Sequence, residues 1–313
     1  MIKKCSGCGL PLQYTDESKL GYAPKKDAKI CQRCFKLKNY NKQVYTKLKY
    51  SNEEIIDLIN KNADNVYFVT DFLNLSENVI NVFKKINKNK TLVINKSDFI
   101  PNSIKKEKYL NWVKDIYNIN DDLILISATK KRGLNELNNK IINSKNCYIC
   151  GFTNSGKSTV INSLSEIHNK KSNIISSLMP NTTLDVIKVK LDDNVYIYDT
   201  PGFVTNEIFN ADLYPSKFIK PITIQTKPDD IISINDTLYI KTDNVANSFT
   251  FYMSDKVNIK KVYNKSIKFV KKITIEENND LFISNYGFIN IKNKCEIMIN
   301  NIDNCVEVRK SMF

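Results

Sequence analysis

Four short motifs follow one another in an order that sharply limits what this chain can fold into. They are Asn95-Lys96-Ser97-Asp98 (N-K-x-D), Ser127-Ala128 (S-A), Gly151-Phe152-Thr153-Asn154-Ser155-Gly156-Lys157-Ser158 (G-x-x-x-x-G-K-[ST]) and Asp199-Thr200-Pro201-Gly202 (D-x-x-G). Each stands at the end of an apolar run. Val66–Thr70, Thr91–Ile94, Leu123–Ile126 and Tyr148–Cys150 are short continuous runs suited to strands buried on both faces. Amphipathic segments lie between them. Ser51-Asn52-Glu53-Glu54 is an S-x-x-E capping box opening a helix that carries Ile55, Ile56, Leu58 and Ile59. Ser103 to Tyr117, Leu134 to Ile142 and the segment from Lys157 onward read as further helices, and Val186–Leu191 with Val195–Tyr198 reads as a hairpin delivering Asp199. The alternation predicts an α/β sheet with every motif at a strand's carboxyl end, where open α/β sheets bind ligands.

The residue types at these positions carry specific chemistry. Asp98 can accept from guanine N1–H and the 2-amino group together, whereas adenine would leave a buried carboxylate unsatisfied. Each charge-assisted bond is worth about 1.5–3 kcal/mol, which selects GTP over ATP. Asn95 is expected to brace the base pocket, Lys96 to cover the base face, and the Ser127-Ala128 backbone to cap guanine O6. In the glycine-rich loop, backbone N–H groups from Asn154, Ser155, Gly156, Lys157 and Ser158 wrap the β-phosphate at a helix N-terminus, with Thr159 in the same set. Lys157 bridges the β and γ phosphates and the Ser158 hydroxyl ligates Mg2+. Thr182 and Thr183 fit a first switch, with Thr183 favoured for the second Mg2+ hydroxyl; Asp199 would hold a Mg2+ water and the Gly202 N–H would sense the γ-phosphate. The chain therefore reads as a circularly permuted P-loop GTPase domain, an arrangement that is undemanding when the parent termini lie close together. Ras-like enzymes carry a water-orienting Gln after D-x-x-G. Phe203 stands there instead, so slow intrinsic hydrolysis is expected.

A second pattern lies near the start. Cys5-x-x-Cys8 and Cys31-x-x-Cys34 frame 22 residues, a two-knuckle spacing suited to one tetrahedral Zn2+ in a reducing compartment. So short a segment builds little core, and zinc would supply folding free energy on the order of 10 kcal/mol; the competing reading is a decayed knuckle held by packing. Residues 1–50 hold twelve Lys/Arg against Asp16, Glu17 and Asp27, which is +9 of the chain's +14. Such a concentrated basic segment is the footprint of a nucleic-acid contact. Cys147, Cys150, Cys295 and Cys305 read as core cysteines, and the lone His168 as surface or packing, which excludes a His-based triad. No apolar stretch approaches the ~20 residues of a spanning helix, and the motif at Cys5 leaves no room for a targeting peptide, so a soluble, cytoplasmic protein without membrane contact is expected.

From about residue 221, alternating runs such as Ile222–Thr226, Ile231–Ile234, Thr237–Ile240, Phe249–Met253 and Leu281–Ile283 suggest a β-rich domain of nearly balanced charge. The expected layout is a zinc-binding module over 1–50, a GTPase domain over 51–215 and a β-rich domain over 216–313.

Taken together the motif order, with Cys5-Ser6-Gly7-Cys8-Gly9, Gln13, Gly21-Tyr22, Pro24, Cys31-Gln32-Arg33-Cys34-Phe35, Tyr40-Asn41, Asp71-Phe72 with Ser76, Ile283-Ser284 and Gly287-Phe288-Ile289, resembles the YqeH-type circularly permuted GTPases, bacterial factors for assembly of the small ribosomal subunit. The resemblance spans the whole chain. It implies a switch that binds ribosomal RNA and possibly ribosomal proteins in the GTP state, leaves as GDP, and is monomeric off the ribosome. It also implies K+ bound near Asn154, which joins Lys157, Thr183 and Gly202 as the catalytic set. Asn181 stands where Gly is usual, and the stretch from Gly202 to about Pro221 is short for the family. A zinc-dependent RNA-binding scaffold that binds GTP without useful turnover is the alternative.

Overall fold

Ser51 begins the first helix as its capping box requires. Its Oγ accepts from the Glu54 N–H at 3.2 Å, and Glu54 Oε2 accepts from the Ser51 N–H at 2.7 Å. The helix, α1 (Asn52–Asn62), buries Ile55, Ile56 and Ile59 on one face, each such side chain contributing roughly 1.5–3 kcal/mol. The computed structural model describes residues 3, 12–16, 21–32, 50–101, 104–168, 176–178, 184–204, 213, 215–243, 245–263, 266–284, 286–300 and 306–312. Cys5, Cys8, Cys34, Thr182, Thr183 and Cys305 lie outside the described residues.

Seven strands, β1 (Asn65–Asp71), β2 (Asn89–Asn95), β3 (Asp122–Leu125), β4 (Cys147–Gly151), β5 (Ser176–Leu178), β6 (Ile187–Asp192) and β7 (Val195–Asp199), form one sheet in the order β3-β2-β1-β4-β7-β6-β5. Between them run α2 (Glu77–Lys84), α3 (Lys106–Tyr117), α4 (Leu134–Ile142) and α5 (Lys157–Ile167). The expected start of α3 at Ser103 moves to Lys106. Ile104 N–H donates to the Pro101 carbonyl at 3.0 Å, a turn that follows the proline before helical bonding begins. The hairpin turns on Asp193-Asn194, with Asn194 in the left-handed conformation at φ 65. Among the described residues, no helix is long and apolar enough to cross a membrane.

The chain divides into two compact units. One comprises Met1–Val69, Lys84–Val93 and Lys131–Val204, the other Thr70–Phe83, Ile94–Lys130 and Thr205–Phe313. In the first unit β1 pairs β4 in parallel, Val69 opposite Gly151, and β4 pairs β7 in parallel, Ile149 opposite Asp199. Cys147 and Cys150 lie buried on β4 as expected, and His168 bonds Asn138 at 2.8 Å and Asp192 at 3.2 Å.

The second unit holds the β-rich region. Strands β8 (Ile222–Thr226), β9 (Ile231–Ile234), β10 (Leu238–Thr242), β11 (Asn247–Met253), β12 (Ile259–Val262), β13 (Lys271–Ile275), β14 (Asn279–Ile283), β15 (Gly287–Ile291), β16 (Cys295–Ile299) and β17 (Val306–Lys310) make two five-stranded sheets. Their orders are β12-β9-β10-β16-β13 and β17-β14-β15-β11-β8, and every pairing within them is antiparallel. Ile232, Ile240 and Ile297 of one sheet join Phe249, Leu281 and Ile289 of the other in a single buried cluster that also takes in Cys295. The edge strands β12 and β13 carry Lys260, Lys261, Lys271 and Lys272, charges that discourage edge-to-edge pairing.

Candidate nucleotide-binding site

In the second unit, backbone and side-chain bonds tie the N-K-x-D and S-A motifs together. Ser97 N–H donates to the Ile126 carbonyl at 3.0 Å and Ile126 N–H to the Ile94 carbonyl at 2.8 Å. Asn95, buried at the end of β2, accepts the Ala128 N–H on Oδ1 at 3.1 Å. That bond satisfies a buried carboxamide and ties the S-A element, whose Ser127-Ala128 backbone was expected to cap guanine O6, to the N-K-x-D element. Ser127 Oγ donates to Asp98 Oδ1 at 2.5 Å and accepts the Lys130 N–H at 3.2 Å, which fixes the Asp98 carboxylate. Lys96 takes a left-handed backbone at φ 61. Its Nζ lies 3.3 Å from Asp71 Oδ2, and burial pushes the ammonium below the ordinary lysine value while Asp71 opposes that shift.

In the first unit the glycine-rich loop and D-x-x-G extend the β4–β7 ladder beyond its last strand residues. Thr200 N–H donates to Ile149 O at 3.1 Å, Phe203 N–H to Gly151 O at 3.0 Å, and Thr153 N–H to Phe203 O at 3.0 Å. Such close approach explains two glycines. A Cβ on Gly151 would stand 2.1 Å from Val69 O, and one on Gly202 would stand 3.0 Å from Thr153 Cγ2. Gly156 caps α5 in the left-handed conformation at φ 87, and Asn154 holds φ 66. Lys157 is 7% exposed; its Nζ donates to the Asp199 carboxylate and, at 2.7 Å, to the Thr200 carbonyl. Ser158 and Thr159 follow in the first turn of α5, and Ser155 is buried in the loop. Burial pushes the Cys147 thiol up to about 11 and the Cys150 thiol further, so neither is a thiolate at neutral pH.

Phe203 is fully buried. Its ring stacks on Phe68 with centroids 5.6 Å apart and tilts against Phe152 at 5.6 Å. Val204, one residue on, is clipped to the start of α1: Asn52 Nδ2 donates to Val204 O at 2.9 Å and Asn52 Oδ1 accepts the Val204 N–H at 2.9 Å. The sequence patterns singled out neither Asn52 nor the Phe68–Phe152 seat, because no motif spans pairs so distant along the chain.

Residues 42–209 match the family described as RsgA GTPase, more than half of the chain. The chain belongs to that family. Its GTPase fold is of the circularly permuted type, with a β-rich C-terminal region, and it is an enzyme of the GTP-hydrolysing class. Among relatives of this RsgA-family chain, the uncharacterized protein YqeH of Bacillus subtilis (strain 168) is 34% identical over 246 residues, covering 71% of the chain and 67% of YqeH. The small ribosomal subunit biogenesis GTPase RsgA of Clostridium botulinum (strain Eklund 17B / Type B) is 33% identical over 118 residues, covering 37% of the chain and 39% of that protein. A second family, described as 50S ribosome-binding GTPase, matches residues 146–282. YjeQ from Thermotoga maritima superposes with a TM-score of 0.35 at 24% identity, over 50% of this chain and 53% of that one.

Two oxygen donors of the site suit a hard cation. The Ser158 hydroxyl and the Asp199 carboxylate are the donor types Mg2+ takes alongside phosphate and water, and they fit the Mg2+ that the GTPase class uses. The zinc ligand set falls largely outside the described residues. Cys31 is buried, is not in a disulfide, and packs with Leu12 and Ala23 in a small cluster. Around it Gln13 pairs with Tyr22, and Gln13 Oε1 accepts from the Thr15 and Asp16 N–H groups at 3.1 and 3.0 Å.

Proposed function

We propose that this chain binds GTP with Asn95, Lys96 and Asp98 at the guanine end and the 154–159 loop, Lys157 above all, at the phosphates, and that it works as a switch in assembly of the small ribosomal subunit. Ser158, Asp199 and Thr183 hold Mg2+, which supplies charge neutralisation between the phosphates when bound. Gly202 N–H senses the γ-phosphate, and the S-A element braces Asn95 and Asp98. The observation that carries the reading is the knitting of Asp98 to Ser127 and of Asn95 to Ala128. It pre-sets one carboxylate oxygen for the paired donors of guanine.

The basic segment 1–50, folded on zinc by Cys5, Cys8, Cys31 and Cys34, is the proposed RNA contact, with the β-rich sheets as a further surface for RNA or ribosomal protein. So short a segment builds little core, which would leave folding free energy for a metal to supply. The names of similar proteins point to different subunits, the small ribosomal subunit for RsgA of Clostridium botulinum and the 50S ribosome for the second matched family. The small subunit is favoured because the RsgA family covers the larger share of the chain. Co-sedimentation with purified subunits in GTP and GDP tests this. GTP-dependent binding to the small subunit, lost after zinc chelation, is expected; binding to the large subunit alone overturns the reading. The same samples assayed for phosphate release separate a GTPase switch from a scaffold, since a switch turns over faster with its subunit present.

K+ at Asn154 is proposed to take over part of the charge stabilisation that a water-orienting side chain would otherwise assist. Replacing potassium by sodium at equal ionic strength is expected to slow hydrolysis severalfold, and equal rates in the two salts remove Asn154 from that role.

A further inference from the structure

Asp71 ends β1 and belongs to none of the four motifs, yet it is 1% exposed. Its Oδ1 accepts the Leu73 N–H at 3.0 Å, its Oδ2 accepts from Asn74 Nδ2 at 3.0 Å, and the same Oδ2 faces Lys96 Nζ at 3.3 Å. The carboxylate thus closes the turn at 71–74 and directs the lysine that follows Asn95. A long, flexible ammonium stem needs such a partner to keep one direction.

The far end of that turn is gripped by the C-terminal strand. Arg309 of β17, one of only three arginines in the chain, lies 4.5 Å from the Phe282 ring and 4.9 Å from the Trp112 ring. Its Nη1 donates to the Leu75 carbonyl at 3.0 Å and to the Tyr117 hydroxyl at 2.9 Å. Glu307 Oε2, on the same strand, accepts the Glu77 N–H at 2.8 Å. Ser76 starts α2 between them, its carbonyl accepting the Ile80 N–H at 3.0 Å. Residues 71–77 are therefore held by Asp71 at one end and by β17 at the other. A buried guanidinium spent on a loop carbonyl is costly unless the loop's position matters.

We propose that Asp71 is a positioning residue for the guanine end of the nucleotide, acting through Lys96, and that β17 seats it through Arg309, so that the C-terminal sheets set how tightly nucleotide is held. The proposal rests on the assignment of Lys96 to the base face. Removal of Asp71 frees the Lys96 stem and loosens the base without touching the phosphates, so affinity falls while chemistry at saturation continues.

The test is a titration of the full-length chain with a fluorescent GDP analogue, together with kcat and KM for GTP. Asp71→Asn is expected to weaken binding about tenfold, the size of one charge-assisted hydrogen bond, with kcat nearly unchanged. Arg309→Lys keeps the charge but cannot reach both acceptors, and a severalfold weakening is expected. The double variant is expected to be no weaker than Asp71→Asn alone, because both act on one linkage. Trp112→Phe removes the indole bond to the Lys310 carbonyl (3.0 Å) on the same strand but keeps an aromatic ring beside Arg309, and affinity is expected to hold. Unchanged affinity in Asp71→Asn, multiplicative losses in the double variant, or an equal loss in Trp112→Phe each overturns the proposal. Should Asp71→Asn fold poorly, Asp71→Glu keeps the charge but displaces the carboxylate facing Lys96, and a smaller KM-only effect is expected; an unchanged KM in that variant overturns the proposal. Asp98→Asn and Lys157→Ala run in parallel: if neither affects binding, the nucleotide-site assignment itself fails, and if both do while Asp71→Asn does not, only this inference falls.

Discussion

Lys157→Ala is expected to lower GTP affinity by roughly 10²–10⁴-fold, the loss of two charge-assisted contacts to phosphate at about 1.5–3 kcal/mol each, and to remove measurable turnover. The ammonium emerges from the first residue of α5 and is 7% exposed, so what it binds is bound with little water in the way. It donates to Asp199 and to the Thr200 carbonyl, two residues of the D-x-x-G element. One lysine therefore links the glycine-rich loop to the D-x-x-G element. Its loss should leave the fold standing. The ladder between these segments is backbone to backbone, Thr200 to Ile149, Phe203 to Gly151 and Thr153 to Phe203, and no side chain at 157 enters it. Isothermal titration with GTP and GDP, beside a thermal melt, reads both expectations. Normal affinity in a folded variant would overturn the assignment of the loop as the phosphate site.

Much of this site was legible because each motif is local. N-K-x-D and the glycine-rich loop fix backbone and chemistry within a few residues, and the strands that carry them are continuous apolar runs. The capping box at Ser51 has the same character, since donor and acceptor lie three residues apart. What escaped was non-local. Asp71 reaches Lys96, Asn52 reaches Val204 and Arg309 reaches Leu75 only after the strands between them have paired. Strands β5, β12, β13, β15, β16 and β17 were not among the runs read from the sequence; in β12, β13 and β17 the reason is that Ile259-Lys260-Lys261-Val262, Lys271-Lys272-Ile273 and Val306-Glu307-Val308-Arg309 mix charge into short alternations. Their outward residues are what an exposed sheet face and edge demand.

Phe203→Gln is expected to destabilise the protein by about 3–5 kcal/mol, as loss of a buried phenyl does, and to leave hydrolysis no faster. At this position Ras-like enzymes place the glutamine that orients the attacking water, so the substitution restores that residue type by name. The geometry denies it the role. The ring at 203 is fully buried, stacked on Phe68 and tilted on Phe152, and its backbone is bonded on both sides, N–H to Gly151 and carbonyl to Thr153. A carboxamide there enters an apolar seat, and about 1–3 kcal/mol of that cost comes from polar groups without partners. Phe203→Leu keeps the seat apolar and should cost less, which separates the polarity penalty from the loss of volume. Chemical denaturation and single-turnover hydrolysis of the three proteins give the answer. A glutamine variant of native stability with accelerated hydrolysis would mean that residue 203 faces the phosphates, contrary to its seat between Phe68 and Phe152. With the phenyl packed against Phe68 and Phe152, an attacking water would have to be oriented by groups other than residue 203, and single-turnover hydrolysis with and without the proposed potassium ion and small subunit is the assay that would reveal them.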